Sequence, residues 1–116
     1  VYMLNEPIVL EEFGLPRDYP GFSPEESTVA RDTFFSNAFG QVIDHAGRLG
    51  PLAGCNIWAW AGEGRAAGGS INWHPGDDYL GDPPQEEQGL NSVFDTDSTI
   101  TIIADFSRRL QTLTRK

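Results

Sequence analysis

At 116 residues the chain is one domain at most, with room for a modest core. Its 39% hydrophobic and 22% charged residues are ordinary globular usage, far from the polar, highly charged compositions that stay unfolded. A formal net charge of −9 argues against nucleic acid, whose phosphates are held by Lys and Arg, and no apolar run approaches the ~20 residues of a membrane span. The expected partner is therefore a neutral ligand, with no nucleic acid and no membrane.

The chain opens on Val1-Tyr2-Met3-Leu4, without the basic head and long apolar body of a signal peptide. Asn5-Glu6-Pro7 then leads directly into an apolar run, so the start is expected to be the interior of a longer protein. Residues 7–14 (PIVLEEFG) predict a buried parallel strand closed by a glycine. Ser23-Pro24-Glu25-Glu26 has the form of a capping box with proline at the first helical position, which predicts a helix over 24–47. Its apolar stripe is Ala30, Phe34, Ala38, Val42 and Ala46, flanked by Phe35, Phe39 and Ile43, and Gly47 is the stop. Residues 52–62 (LAGCNIWAWAG) predict a second doubly buried strand. Residues 62–94 are rich in glycine and lack periodicity, as in a long functional loop. Asp97-Ser98 can cap a last helix over 99–113, with Ile103, Phe106, Leu110 and Leu113 on one face. Acidic residues open that helix and Arg108, Arg109, Arg115 and Lys116 close it, as its dipole favours.

Alternating strands and helices with doubly buried strands indicate an α/β fold with a parallel sheet covered by helices. Two strands are too few to stand alone, since their edges and apolar faces would be bare. More sequence or a partner is required.

The residue best placed for chemistry is Glu12, at the C-terminal end of the first strand, where parallel barrels collect their catalytic groups. Strand alternation that turns Ile8, Leu10 and Glu12 inward turns Glu11 toward the helices, where it would pair with Arg17 or Arg31. A strand-end glutamate is more often a solvated edge group or an ion-pair member.

PIVLEEFG resembles the seventh strand of glycoside hydrolase family 5, in which the glutamate before Phe-Gly is the nucleophile of a retaining double displacement; Glu12 is that residue here. NIWAWAGEGR resembles the eighth strand and following turn of the mannanases of this family, and DDYLGDPPQEEQGLNSVFDTDST resembles their last loop and final helix cap. The resemblance covers nearly the whole chain. It implies the β7-α7-β8-α8 segment of a (β/α)8 TIM barrel, incomplete on its own, from an endo-β-1,4-mannanase that uses no cofactor. It implies as partners a mannan polysaccharide or oligosaccharide and the upstream part of the same barrel, which carries the acid/base glutamate. It also implies a secreted or cell-surface parent protein.

On that resemblance Trp58 is the floor beneath the sugar at the cleavage point, a task suited to an indole whose flat face packs on a pyranose ring. A buried strand also uses tryptophan simply as core. Trp60, two positions on, is expected to point the same way and to extend or support that floor. Trp73 and Arg65 in the long loop are weaker candidates for substrate contact, and the acids of that loop read first as a solvated face. His45 and His74 lack zinc-ligand spacing, the loop lacks the calcium pattern of an EF-hand, and no metal is expected. Cys55 excludes an internal disulfide and reads as a small buried hydrophobe. Three other functions stay open: another family 5 β-glucanase or cellulase, a non-catalytic carbohydrate-binding domain using Trp58, Trp60 and Trp73, and an inert scaffold or interaction fragment.

Overall fold

The structure is a computed structural model that describes residues 6–18, 21, 23–68 and 71–114. The readings on Val1 to Leu4, Asn5, Arg115 and Lys116 lie outside the described residues. The described chain runs β1 (Ile8–Phe13), α1 (Val29–Gly47), β2 (Leu52–Ile57), β3 (Trp60–Gly62), β4 (Val93–Phe94) and α2 (Thr99–Thr114). β1 pairs with β2 and β3 with β4, both in parallel. The β1-α1-β2 unit is the crossover that a parallel pair demands. With two long helices and only parallel pairs, the described architecture is α/β, not the β-sandwich usual for carbohydrate-binding domains.

Phe13 at the end of β1 packs with Phe35 and Phe39 of α1 and Val93 of β4; Cys55, Ile57, Ile100, Ile103 and Phe106 close around them. The rings of Phe39 and Phe106 stack at 4.2 Å and 10°, fixing α1 against α2. Cys55 packs against this core as a small hydrophobe but is half-buried and not buried as expected, and burial raises its thiol pKa. By contrast Ile8, Val9 and Leu10 are 38–44% exposed. The core lies on one side of the β1–β2 pair, and the apolar start of β1 is left uncovered among the described residues.

Three expectations need correction. Helix α1 starts at Val29, not at residue 24, because Ser23 to Glu26 close a turn through the Glu26 amide and Ser23 carbonyl at 3.0 Å. The first-turn amides of Val29 and Ala30 donate instead to the two carboxylate oxygens of Asp18, at 3.0 and 3.2 Å. A side chain from the preceding loop therefore does the capping, and local sequence patterns see only caps that are adjacent in the chain. The buried stripe is Arg31, Phe35, Phe39 and Val42: Val42 stands as expected, while Arg31, Phe35 and Phe39 each lie one position on from Ala30, Phe34 and Ala38. Arg31 is fully buried because its Nε donates to the Leu15 carbonyl (2.7 Å) and Nη1 to the Ser92 carbonyl (2.8 Å) and to Asp97 (3.3 Å). Last, the span 52–62 is two strands, since β3 leaves β2's line and pairs with β4. The loop after it holds a strand of its own, β4, just before α2.

Candidate active site

At the C-terminal end of the β1–β2 pair the register slips. Leu10 faces Cys55 and Phe13 faces Ile57, so Glu11 and Glu12 together stand opposite Asn56 alone. Glu12 absorbs the extra residue with φ of 51°, the left-handed region that a non-glycine residue seldom occupies. Such strain is of order 1–3 kcal/mol and concentrates at functional sites. The Glu12 side chain is exposed, and its carboxylate makes no hydrogen bond or ion pair with any described residue.

The bulge corrects the reading of Glu11. Cys55 and Ile57 turn toward the helices, so Asn56 between them turns the other way, and its Nδ2 donates to the Glu11 carboxylate at 2.8 Å. Glu11 therefore shares Asn56's side of the pair and does not reach Arg17 or Arg31. Those two guanidiniums converge on Asp97: Arg17 Nη2 lies 2.6 and 2.7 Å from its two oxygens. All three side chains are essentially dry. Desolvation, then the neighbouring Arg17 charge, lowers the Arg31 pKa, and Asp97 opposes both. Asp97 also accepts from the Phe94 amide at 2.9 Å, so its carboxylate knots the loops together and does not cap the first-turn amides of α2.

Trp58 comes to the same edge. Its amide donates to the Phe13 carbonyl at 2.8 Å, extending the β1–β2 ladder by one rung beyond Glu12. A Cβ on Gly14 would sit 2.1 Å from the Trp58 carbonyl oxygen, so only glycine allows this approach. The peptide from Trp58 to Ala59 is cis. Trp58 is half-buried, and Trp60 is 57% exposed with its indole edge over Gly62. Trp58 lies in the break between β2 and β3, so strand alternation does not relate its direction to that of Trp60, contrary to the expectation from the sequence.

A strained, unpaired carboxylate and a half-buried indole thus share one end of a parallel strand pair, and similarity decides the family. Residues 2–115 match the family described as GH family 5 beta-mannosidase-like. The chain belongs to glycoside hydrolase family 5. Its similarity to mannan endo-1,4-beta-mannosidase 3 of Arabidopsis thaliana is 34% identity over 56 residues, 48% of this chain and 13% of that protein. The crystal structure of a family 5 mannosidase from Rhizomucor miehei superimposes with a TM-score of 0.83 at 35% identity, covering 96% of this chain and 28% of that one. A mutant of the same enzyme in complex with mannosyl-fructose matches equally well. The family 5 chain thus spans well under a third of the length of these relatives.

The long loop of this family 5 chain is stitched from within. Buried Asp82 accepts from the amides of Gly89 (2.9 Å) and Asn91 (3.0 Å), and Ser92 Oγ lies 2.8 Å away. Arg65 is engaged by the protein itself: Nη1 donates to the Gly62 and Gly64 carbonyls and Nη2 to Asp95 at 2.6 Å, with the guanidinium over the Phe94 ring. That leaves it poorly placed to serve a ligand. Trp73 lies in the long loop, its ring stacked on that of Tyr79. Sequence reasoning missed Asn56 and Asp82, whereas Tyr79 reads from the sequence, with Trp73, as a loop aromatic that could line a sugar subsite. The only local signal for those two was a polar residue in a segment otherwise read as strand or solvated loop. Among the described residues no group of three His, Cys, Asp or Glu side chains could hold a metal ion, and no helix is long and apolar enough to cross a membrane.

Proposed function

We propose that this chain is the β7-α7-β8-α8 portion of a (β/α)8 barrel that hydrolyses β-1,4-mannan with retention of configuration, and that Glu12 is its nucleophile. The observation that carries this reading is the left-handed Glu12 on a two-to-one bulge at the strand end, next to the rung that brings in Trp58. A group spent on stability would be paired. Glu12 is exposed and unpaired, which a nucleophile must be to reach an anomeric carbon.

In the first step a Glu12 oxygen forms a bond to the anomeric carbon while the glycosidic C–O bond breaks, the leaving oxygen taking a proton from a second carboxyl group about 5 Å away. In the second, that group takes a proton from water, and the water oxygen displaces Glu12. The second carboxyl belongs to the upstream part of the barrel. Trp58 offers its ring face beneath the sugar being cleaved, where contact favours the flattened transition state.

The uncovered Ile8, Val9 and Leu10, and the open apolar groove lined by Phe39, Cys55, Ile57, Ile103 and Phe106, fit a segment whose neighbouring strands lie elsewhere in the parent protein. Mannan is favoured over β-glucan by the Arabidopsis relative's name, and endo cleavage by the same name. A secreted or cell-surface parent is the location that a polymeric substrate requires.

The test is covalent trapping in the full-length protein. A 2-deoxy-2-fluoro-mannosyl fluoride should label Glu12 and no other residue, as peptide mapping by mass spectrometry reads. Proton NMR of the first product should show the β anomer. An α anomer, or labelling elsewhere, removes Glu12 from the role. Mannohexaose should yield internal fragments; release of mannose alone from one end would make the enzyme an exo-mannosidase, and preference for β-glucan would make it a glucanase.

A further inference from the structure

Trp73 and Tyr79 form a second aromatic feature outside the β1–β2 edge. Their rings stack at 5.3 Å and 17°. An exposed tyrosine alone means little, since much of any protein surface is apolar. Here, however, Tyr79 is 80% exposed while the half-buried Trp73 lies flat against it, held by its Nε1–H on the Asp77 carbonyl at 3.1 Å. The tyrosine thus presents a backed face at little further cost in side-chain freedom, the property that makes such residues good contact surfaces.

The supporting loop is fixed. Asp77 accepts from the His74 amide at 2.8 Å, and the Trp73 amide donates to the Pro84 carbonyl at 3.2 Å. Asp78 accepts from the Arg65 amide at 3.0 Å, fastening the loop to the segment that leaves β3. Leu80 is buried beside Gly64, and Gly81 lies so close to Ala59 that an added Cβ would come within 2.5 Å of the alanine Cβ. Tyr79 is therefore two residues from a contact with the neighbour of Trp58, on ground continuous with the candidate site. Asp77 and Asp78 are committed to loop amides, which leaves the aromatic face as the main feature on offer. A formal net charge of −9 disfavours an anionic ligand.

We propose that the Trp73–Tyr79 stack is a sugar platform that takes one uncharged pyranose unit of the mannan chain, remote from the bond being cut, on the outer face of Tyr79. The proposal rests on the mannan-hydrolase reading and deepens it by assigning a distal subsite. Such a site adds affinity for long chains and leaves short ones unaffected, because only a long chain reaches both Trp58 and Tyr79.

The experiment uses the full-length protein and its Tyr79→Ala, Tyr79→Phe and Trp73→Ala variants, with kcat/KM measured on a ladder of manno-oligosaccharides up to mannohexaose. Tyr79→Ala should lower kcat/KM on mannohexaose about fivefold to tenfold, the scale of one aromatic contact. It should change the shortest cleaved substrate less than twofold, with an unchanged melting temperature. Tyr79→Phe should retain the parent's values on both, and Trp73→Ala should resemble Tyr79→Ala. Equal effects at all lengths, or none at mannohexaose, overturn the platform. Should the parent cleave no mannan at all, the mannan-hydrolase reading fails separately. The platform is then judged by whether mannohexaose alters Trp73 fluorescence in the parent but not in Tyr79→Ala; no change in the parent sinks it.

Discussion

Glu12 and Asp97 are both acids at the loop-bearing end of the molecule, and they live in opposite conditions. Asp97 is 7% exposed and saturated, with two guanidiniums and a backbone amide on its two oxygens. Glu12 is exposed, unpaired and held in a strained backbone conformation. The first arrangement fixes a structure and leaves no lone pair for chemistry. The second costs stability and leaves the oxygens free. A carboxylate's surroundings, and not its residue type, decide which of the two tasks it performs.

The strongest way to break this contrast is to neutralise each acid in the full-length protein. Glu12→Gln should reduce mannan turnover by several orders of magnitude while the thermal melt barely moves or rises slightly. Asp97→Asn should do the reverse, destabilising by about 3–5 kcal/mol because two buried cations lose their counter-charge, while the fraction that stays folded turns over normally. Similar stability losses from both would show that Glu12 is structural after all.

Next in size is Gly14→Ala. Its Cβ would collide with the Trp58 carbonyl, so the β1 and β2 ends must part. Activity should fall at least tenfold, more than the melting temperature suggests, since geometry at a reacting centre is sensitive to shifts of about 1 Å. Normal kinetics in Gly14→Ala would mean that the close approach is dispensable to the site.

A smaller effect sharpens the comparison inside the bulge itself. Glu11→Gln should keep most turnover, because the amide oxygen still accepts from Asn56 Nδ2. Glu11→Ala should lose several-fold as the bulge loosens. Comparable, severe losses from Glu11→Gln and Glu12→Gln would show that the two glutamates had been assigned the wrong roles.

The mildest prediction concerns Asp18, half-buried and committed to a helix end as Asp97 is to its cations. The Ser27 hydroxyl, with the Val29 and Ala30 amides, lowers its carboxyl pKa below the ordinary 3.8. A depressed folded pKa stabilises above 3.8 and loses that contribution as pH falls through the lowered value. Asp18→Asn should therefore lower the melting temperature slightly at neutral pH and converge with the parent in strong acid. A constant gap across the pH range would contradict the capping role of the charge.

The sequence alone determined the α/β class, β1 and α2 to within one residue at each end, one end each of α1 and β2, the family, and Glu12 and Trp58 as the residues to watch. Those follow from hydrophobic period, strand-ending glycine and a motif read in order, all of which are local along the chain. Only the tertiary structure decided where the polar groups go. Asp18 caps a helix 11 residues on, Arg31 enters the core because Leu15, Ser92 and Asp97 receive it, and Glu11 turns from the arginines to Asn56. Each of these pairings closes a long sequence separation, and the buried donor is satisfied by whichever acceptor the folded chain brings within reach. The bulge at Glu12 belongs with them. Alternation in PIVLEEFG predicts one face for each glutamate, and only pairing with β2, at a ratio of two residues to Asn56, places both opposite one neighbour.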